Sequence, residues 1–177
     1  MIVTCSGGLT YSPGMTYCDS SGVSTCAQAV TNVPIDSSGI VLLHIMAAFP
    51  DTSNPRMNAV SFGIDYDAEK MWIVDKGSCG GWELPTSSWP APGSGTALTW
   101  TDPKTERLTE VYWIAAYVYL QGADSTQFSL TDHGRYGGEF SDDSTPGVRD
   151  DRPLWLDTGA CTTTSFRTPR PGSETVI

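Results

Sequence analysis

Lysine is almost missing from this chain, with 3 residues in 177. Charged residues of all kinds make up only 17%, against about 25% in an ordinary soluble domain. Acids outnumber bases 20 to 10, which leaves a net charge of −10. A nucleic-acid partner needs a basic patch against its phosphates, and an anionic membrane surface needs a polybasic segment. The sequence offers neither, and no apolar run approaches the roughly 18 residues of a membrane span. Histidine occurs only at His44 and His133, and no C-x-x-C pair exists, which argues against zinc. Nucleophile elbows, P-loops, dinucleotide fingerprints and zincin helices are absent, and Gly93-Ser94-Gly95 is not G-x-S-x-G. No catalytic or cofactor-binding residue is assigned, and the expectation is a protein that is not an enzyme. Asn32, Asn54 and Asn58 all fail the N-x-S/T pattern, so any glycan is expected to be O-linked. Residues 1–10 lack the basic start and apolar stretch of a signal peptide, so a secreted form is expected to be mature or truncated at this point.

What the chain does have is hydroxyls and turn formers: 19 Ser and 21 Thr beside 18 Gly and 12 Pro. At 39% hydrophobic and 177 residues it can bury a core as one domain. The cysteines, Cys5, Cys18, Cys26, Cys79 and Cys161, are scattered through an acidic, Lys-poor sequence, which points to an oxidising compartment and an extracellular or cell-surface location. Two disulfides and one thiol is the simplest count, with Cys18, Cys26, Cys79 and Cys161 as the bridge candidates. Cys18 and Cys26 enclose seven residues, which permits a local loop. Cys79 and Cys161 would then tie the middle of the chain to its tail, leaving Cys5 free or available to cross-link subunits. The alternative is five reduced cysteines acting as small hydrophobes.

The hydrophobic pattern divides the chain at about residues 40 and 158. Residues 1–39 form an expected extended arm, with Ile2–Val3 and Ala27–Val30 as short apolar pieces able to pair as edge strands. Residues 40–49 are apolar on both faces and predict a buried strand. Residues 59–66 alternate, with Val60, Phe62, Ile64 and Tyr66 on one face and Ser61, Gly63 and Asp65 on the other. Further strands are predicted at 71–75, 97–101 and 127–131, with a short one near Leu154–Leu156. The stretch 108–120 is β-branched and aromatic, which favours a strand over the rival helix. Residues 76–95 and 132–153 are predicted loops, and 159–177 a Ser/Thr/Pro-rich extended tail. The fold class expected is all-β, a β-sandwich of jelly-roll or immunoglobulin-like type with an N-terminal arm and a C-terminal tail.

The segment V-S-F-G-I-D-Y-D-A-E-K-M-W-I-V-D, residues 60–75, resembles a pattern in cohesin-like β-sandwich domains. There an alternating strand ends in Tyr-Asp, here Tyr66-Asp67, and a short turn follows, here Ala68–Lys70. An apolar strand, here Met71–Val74, then leads to a Gly-containing loop, here Gly77. The neighbouring F-P-D-T-S-N-P-R and W-P-A-P-G-S-G-T-A-L-T-W are similar to segments of secreted bacterial surface proteins, so the resemblance covers about residues 40–131. It implies a non-catalytic module for extracellular assembly. The Cys-bearing arm and the Thr/Pro tail depart from the pattern, so assembly in general, rather than dockerin binding, is what carries over.

Side chains with chemistry to offer fall into five groups. His44 lies in an apolar strand and is expected to be partly buried and hydrogen-bonded. His133, in a polar loop, and the carboxylates Glu110, Glu83 and Asp65 are the residues a hydrolase would have to use. Acidic pairs, Asp65 with Asp67 and Asp142, Asp143, Asp150 with Asp151, are candidate oxygen ligands for a structural calcium, although no EF-hand spacing occurs. Trp82 and Trp89, in a Gly/Pro-rich loop, are expected to be exposed for contact with a glycan or a partner, while Trp72 and Trp100 are expected to cap the core. Thr162, Thr163, Thr164, Ser165 and Thr168 are O-glycosylation candidates. The function expected first is a structural subunit of an extracellular filament or matrix. Its copies would join head to tail through sheet edges or a donated arm. The alternative is a carbohydrate-binding module using Trp82 and Trp89, and a secreted glycoside hydrolase comes third.

Overall fold

Alternation over residues 57–66 places Val60, Phe62 and Ile64 on one side of a strand, all but excluded from solvent, and Asp65 on the other, exposed. That division runs through the whole molecule. The computed structural model describes residues 1–5, 9–34, 39–120, 125–144, 149–150 and 163–167. Among them it forms twelve strands, one 3₁₀ turn (Cys26–Gln28) and no α-helix. The strands are β1 (Ile2–Cys5), β2 (Asn32–Pro34), β3 (Ile40–Ala48), β4 (Met57–Tyr66), β5 (Met71–Ser78) and β6 (Trp82–Pro85). They continue with β7 (Ser94–Lys104), β8 (Leu108–Val118), β9 (Ser125–Thr131), β10 (Glu139–Asp142), β11 (Arg149–Asp150) and β12 (Thr163–Arg167). The 108–120 segment is therefore a strand: its β-branched and aromatic residues pack on both faces of a sheet, which a helix cannot do.

Two sheets stack face to face. Sheet one has the order β1-β3-β8-β5, antiparallel throughout. Sheet two is built around β4. One edge of β4 pairs with β7, and β7 in turn with β6. The other edge is shared: Met57–Ser61 pair with β10, and Gly63–Tyr66 pair with β9. The chain thus runs along a single edge of β4 from β9 to β10, interrupted by an excursion at residues 132–138. Beyond β9 lie β12 and then β2, the latter pair parallel, and β11 lies beyond β10. Between the sheets, Val3, Leu43, Ile45, Tyr112 and Ile114 meet Val60, Phe62, Ile64, Leu98, Phe128 and Leu130. Each large apolar side chain taken from water here contributes roughly 1.5–3 kcal/mol.

The structure departs from the expected division at residues 40 and 158. The arm supplies β1, whose Ile2 and Val3 are fully buried and which pairs with β3 from Ile2↔Met46 to Cys5↔Leu43. The tail supplies β12, which fills the place between β9 and β2. Short segments such as I-V-T-C carry too little pattern for a sequence to show that they complete a sheet far along the chain. The loops predicted at 76–95 and 132–153 likewise contain β6, β10 and β11. The strand expected near Leu154–Leu156 lies outside the described residues.

Candidate functional site

The outer face of sheet two carries a groove of about 330 Å³. Register makes it. Trp82, Thr99, Ala59 and Ser141 stand opposite one another across β6, β7, β4 and β10, and so do Leu84, Ala97, Ser61 and Glu139 in the next row. The middle strands contribute small side chains, so they form a floor. Leu84 (58% exposed) lines the groove at the β6 side, with Trp82 (75% exposed) beside it on the same face of β6, and Tyr136 (37% exposed) lines it from the 132–138 excursion at the other. Exposed Trp, Tyr and Leu around a flat small-residue floor is a surface suited to a partner's apolar side chains.

Two devices hold these walls in place. Under β6, Glu83 points opposite to its neighbours, into the sandwich. It accepts hydrogen bonds from Tyr112 Oη (2.9 Å) and Thr96 Oγ1 (2.9 Å), and the indole N–H of Trp89 donates to Tyr112 Oη (2.8 Å). Tyr112 is fully buried, and that burial drives its phenol pKa far upward, so it stays a neutral donor. At the other wall, His133 and Gly137 close the excursion with a pair of backbone hydrogen bonds, and Ser61 Oγ donates to Gly137 O at 3.1 Å. His133 Nδ1 accepts from the N–H groups of Arg135 and Tyr136, both at 3.1 Å, and the ring stacks on Tyr136 with centroids 4.8 Å apart. Burial lowers the His133 pKa, which favours the neutral ring with its proton on Nε2. The ring lies flat on the sheet only because Gly95 is beneath it: a Cβ there would stand 2.7 Å from His133 Cδ2. Gly63, paired with Gly95, is required in the same way, since a Cβ would meet Asp132 O at 2.6 Å.

The outer face of sheet one is covered instead. Residues 9–30 lie over it as a roof. Tyr17 packs edge-on against Trp113 at 5.1 Å and over Leu42 and Ala115, and Tyr11 Oη donates to Asp75 at 3.0 Å. A disulfide joins Cys18 in the roof to Cys79 after β5. Beneath it His44 Nδ1 and Glu110 Oε1 are 2.6 Å apart with both side chains essentially inaccessible, and the second carboxylate oxygen accepts from Ser21 N at 3.3 Å.

These placements sort the residues singled out in the sequence. Trp82 is exposed as expected, but Trp89 is not its partner. Its ring turns inward against Phe62 (5.9 Å) and Tyr112 (5.5 Å), where its N–H finds the phenol oxygen. Trp72 exchanges roles with it: at 64% exposure it caps no core, whereas Trp100 is buried as expected. Cys18 bridges to Cys79 rather than closing a local loop with Cys26, because the roof carries Cys18 across sheet one to the end of β5. Cys161 lies outside the described residues. Cys5 is a buried thiol in β1 whose pKa burial raises to about 12, so it has neither the access nor the thiolate to cross-link subunits. His44 is buried and hydrogen-bonded. His133 is no free loop histidine, being held by two N–H groups over glycine. Glu110 and Glu83 face different sides of the molecule, each committed to structural partners, and do not form a hydrolytic pair.

The acids are dispersed. Asp65 is exposed on β4, and Asp67 accepts from Glu69 N within its own turn. Asp142 accepts from Ser144 N and Oγ. Asp143 pairs through both carboxylate oxygens with Arg56, whose guanidinium holds its pKa below the usual range. Asp150 lies in β11, and Asp151 lies outside the described residues. Among the described residues no group of three or more His, Cys, Asp or Glu gathers to hold a metal. Thr163, Thr164 and Ser165 belong to β12, while Thr162 and Thr168 lie outside the described residues. No helix among them is long and apolar enough to cross a membrane. The residues that shape the groove, Leu84, Ala97, Ser61 and Tyr136, went unmarked in the sequence. The one available signal was W-E-L-P, where Trp82 and Leu84 alternate with Glu83.

Comparison with known proteins bears on the fold. No protein-family model and no curated protein matches the chain. Among solved structures, a chain of the CaDoc0917–CaCohA2 complex is 12% identical with a TM-score of 0.51, over 79% of this chain and 96% of that one. The fold is cohesin-like. The cohesin module of a family 33 glycoside hydrolase from Clostridium perfringens is 12% identical with a TM-score of 0.48, covering 78% of this chain and 88% of that one. The seventh ScaB type I cohesin from Pseudobacteroides cellulosolvens is 13% identical with a TM-score of 0.46, covering 84% and 94% respectively. In this cohesin-like sandwich the arm-derived roof lies over sheet one and the groove is open on sheet two.

Proposed function

We propose that the protein is an extracellular assembly module that binds a protein partner through the open groove of sheet two. The observation that carries this reading is the pair Trp82 and Leu84, held outward on an edge strand that Glu83 anchors from within the core. Large apolar side chains left exposed on a pinned strand cost stability unless something covers them. The cohesin-like fold supports a binding role over a catalytic one, and the Cys18–Cys79 bridge supports an oxidising location.

Homotypic, head-to-tail joining is the second reading, and β1 is what favours it. This short edge strand is fully buried and pairs antiparallel with β3, so the same strand from a neighbouring copy fits the same register. O-glycosylation of the Thr162–Thr168 region and a structural calcium are carried by no observation beyond the sequence.

The test compares immobilised parent protein with a Leu84→Arg variant against the extracellular fraction of the source culture. A protein retained by the parent and lost by the variant is the expected result. Equal capture by both, or capture by neither, overturns the groove reading. Filaments of unreduced parent protein in electron micrographs, lost on deletion of residues 1–5, would replace it with the second reading.

A further inference from the structure

The roof over sheet one does not reach the end of the sheet. Its rings and bonds engage the rows Asp75–Ala115–Leu42, Gly77–Trp113–His44 and Glu110–Met46. In the next row, Trp72–Tyr117–Ile40, Ile40 still packs against the cluster under the roof, and exposure begins at Trp72. Trp72 is 64% exposed there, directly across from Tyr117, and Tyr119 follows at 53% with its ring 4.6 Å from that of Tyr117. Three aromatic rings therefore share one end of a sheet face. The site is built rather than accidental: Tyr119 N donates to Lys70 O at 2.7 Å, which ties the strand end to the Asp67–Lys70 turn. Lys70 Nζ in turn donates to Ser125 O at 3.3 Å.

We infer that Trp72, Tyr117 and Tyr119 form a platform for the pyranose rings of a neutral polysaccharide, on a different face from the proposed protein groove. The chemistry decides the occupant. A pyranose presents C–H groups on its face and hydroxyls at its rim, so it stacks on an indole and finds hydrogen-bonding groups at phenols and the Lys70 ammonium. A protein anchor needs a desolvated pocket, whereas here Trp72 and Tyr119 stand exposed and the Tyr117 and Tyr119 rings meet edge to face. The protein's net charge of −10 opposes acidic glycans and leaves neutral ones. The carbohydrate contact expected at Trp82 and Trp89 is thereby moved to Trp72, Tyr117 and Tyr119.

Depletion of the parent protein by insoluble cellulose, chitin, xylan and mannan tests this, with Trp72→Ala, Tyr119→Ala and Trp82→Ala alongside. Both platform residues are largely exposed, so the variants are expected to fold. Retention on at least one of these polymers is expected, reduced about tenfold by Trp72→Ala, reduced less by Tyr119→Ala, and unchanged by Trp82→Ala. No retention on any polymer, or retention that Trp72→Ala leaves unchanged or Trp82→Ala lowers equally, overturns the platform. A protein partner lost with Trp72→Ala in the absence of glycan retention also overturns it. None of these outcomes depends on Leu84, so the groove stands or falls separately.

Discussion

Sheet one and sheet two each give one face to the common core, but their outer faces are completed differently. Residues 9–30 lie over sheet one, bring a disulfide to it, and bury Leu42, Trp113 and a His–Glu pair beneath them. Among the described residues, sheet two receives only the excursion at 132–138, which covers Gly63 and Gly95 and stops at Tyr136. The difference shows in the chemistry. On the covered face His44, Glu110 and Ser21 N are paired with each other, as buried polar groups generally are, while Trp113 Nε1 is buried there without a hydrogen-bond partner among the described residues. An open face tolerates Leu84 and Trp82 because their strand is pinned from the other side. The chain itself covers most of one outer face and leaves a groove open on the other.

Breaking the roof is expected to have the largest effect. Glu110→Ala removes the acceptor of both His44 Nδ1 and Ser21 N and leaves the histidine buried without its carboxylate. Leaving buried groups without their acceptor costs about 1–3 kcal/mol each, and more where the lost partner is charged. Urea unfolding of the variant should show that loss, and limited proteolysis should cut residues 9–30 first. A loss below about 1 kcal/mol would mean that the arm rests on the sheet without being latched to it.

The contrast between the faces also shows what the sequence could convey. Alternation at 59–66 and the apolar run at 40–49 marked strands correctly, and the alternation marked the buried face as well, because period-2 patterning directly encodes which side is buried. His44 was legible too, since a polar residue inside an apolar run must be paired. The roof was not. Cys18 finds Cys79 rather than Cys26 for a reason of tertiary path, and Ile2 is in the sandwich for a reason of register with residue 46. Trp89 and Trp72 exchanged places because exposure in a loop or at an edge depends on what lies across the sheet. For Trp89 that is Tyr112; for Trp72 it is Tyr117, beyond the end of the roof.

Tyr112→Phe sharpens the comparison from inside the core. It deletes one hydroxyl on which Trp89 N–H and Glu83 Oε1 both depend, while keeping the ring that packs on Phe62 at 6.0 Å. Leaving two buried polar groups short of a partner costs about 1–3 kcal/mol. The effect should also reach the open face, because Glu83 then keeps only Thr96 as its inward tether. Amide exchange at Glu83 and Leu84 should quicken more than at His44 or Thr4. Uniform quickening across both sheets would show that the network stabilises the core without positioning β6.

The smallest effect is expected at the excursion, and it depends on pH. His133 is held neutral in the folded chain by burial, so its folded pKa lies below the ordinary value of about 6.5. Between those two values the unfolded chain binds more protons than the folded one, so stability rises with pH and falls on acidification. The contribution is complete above about pH 6.5 and is lost as pH drops through the folded value. Protonation also ends the acceptance by Nδ1 of the Arg135 and Tyr136 N–H groups, so the Tyr136 wall of the groove loosens with it. His133→Asn keeps an acceptor near Nδ1 and cannot be protonated. The difference in urea midpoint between parent and variant should therefore be constant above neutrality and shift in favour of the variant on acidification. All other titrating groups are common to both chains and cancel. A difference that stays flat across the acid range would mean that the excursion is not held by its histidine, and the open face would then owe its shape to Ser61 and the Gly63–Gly95 pair alone.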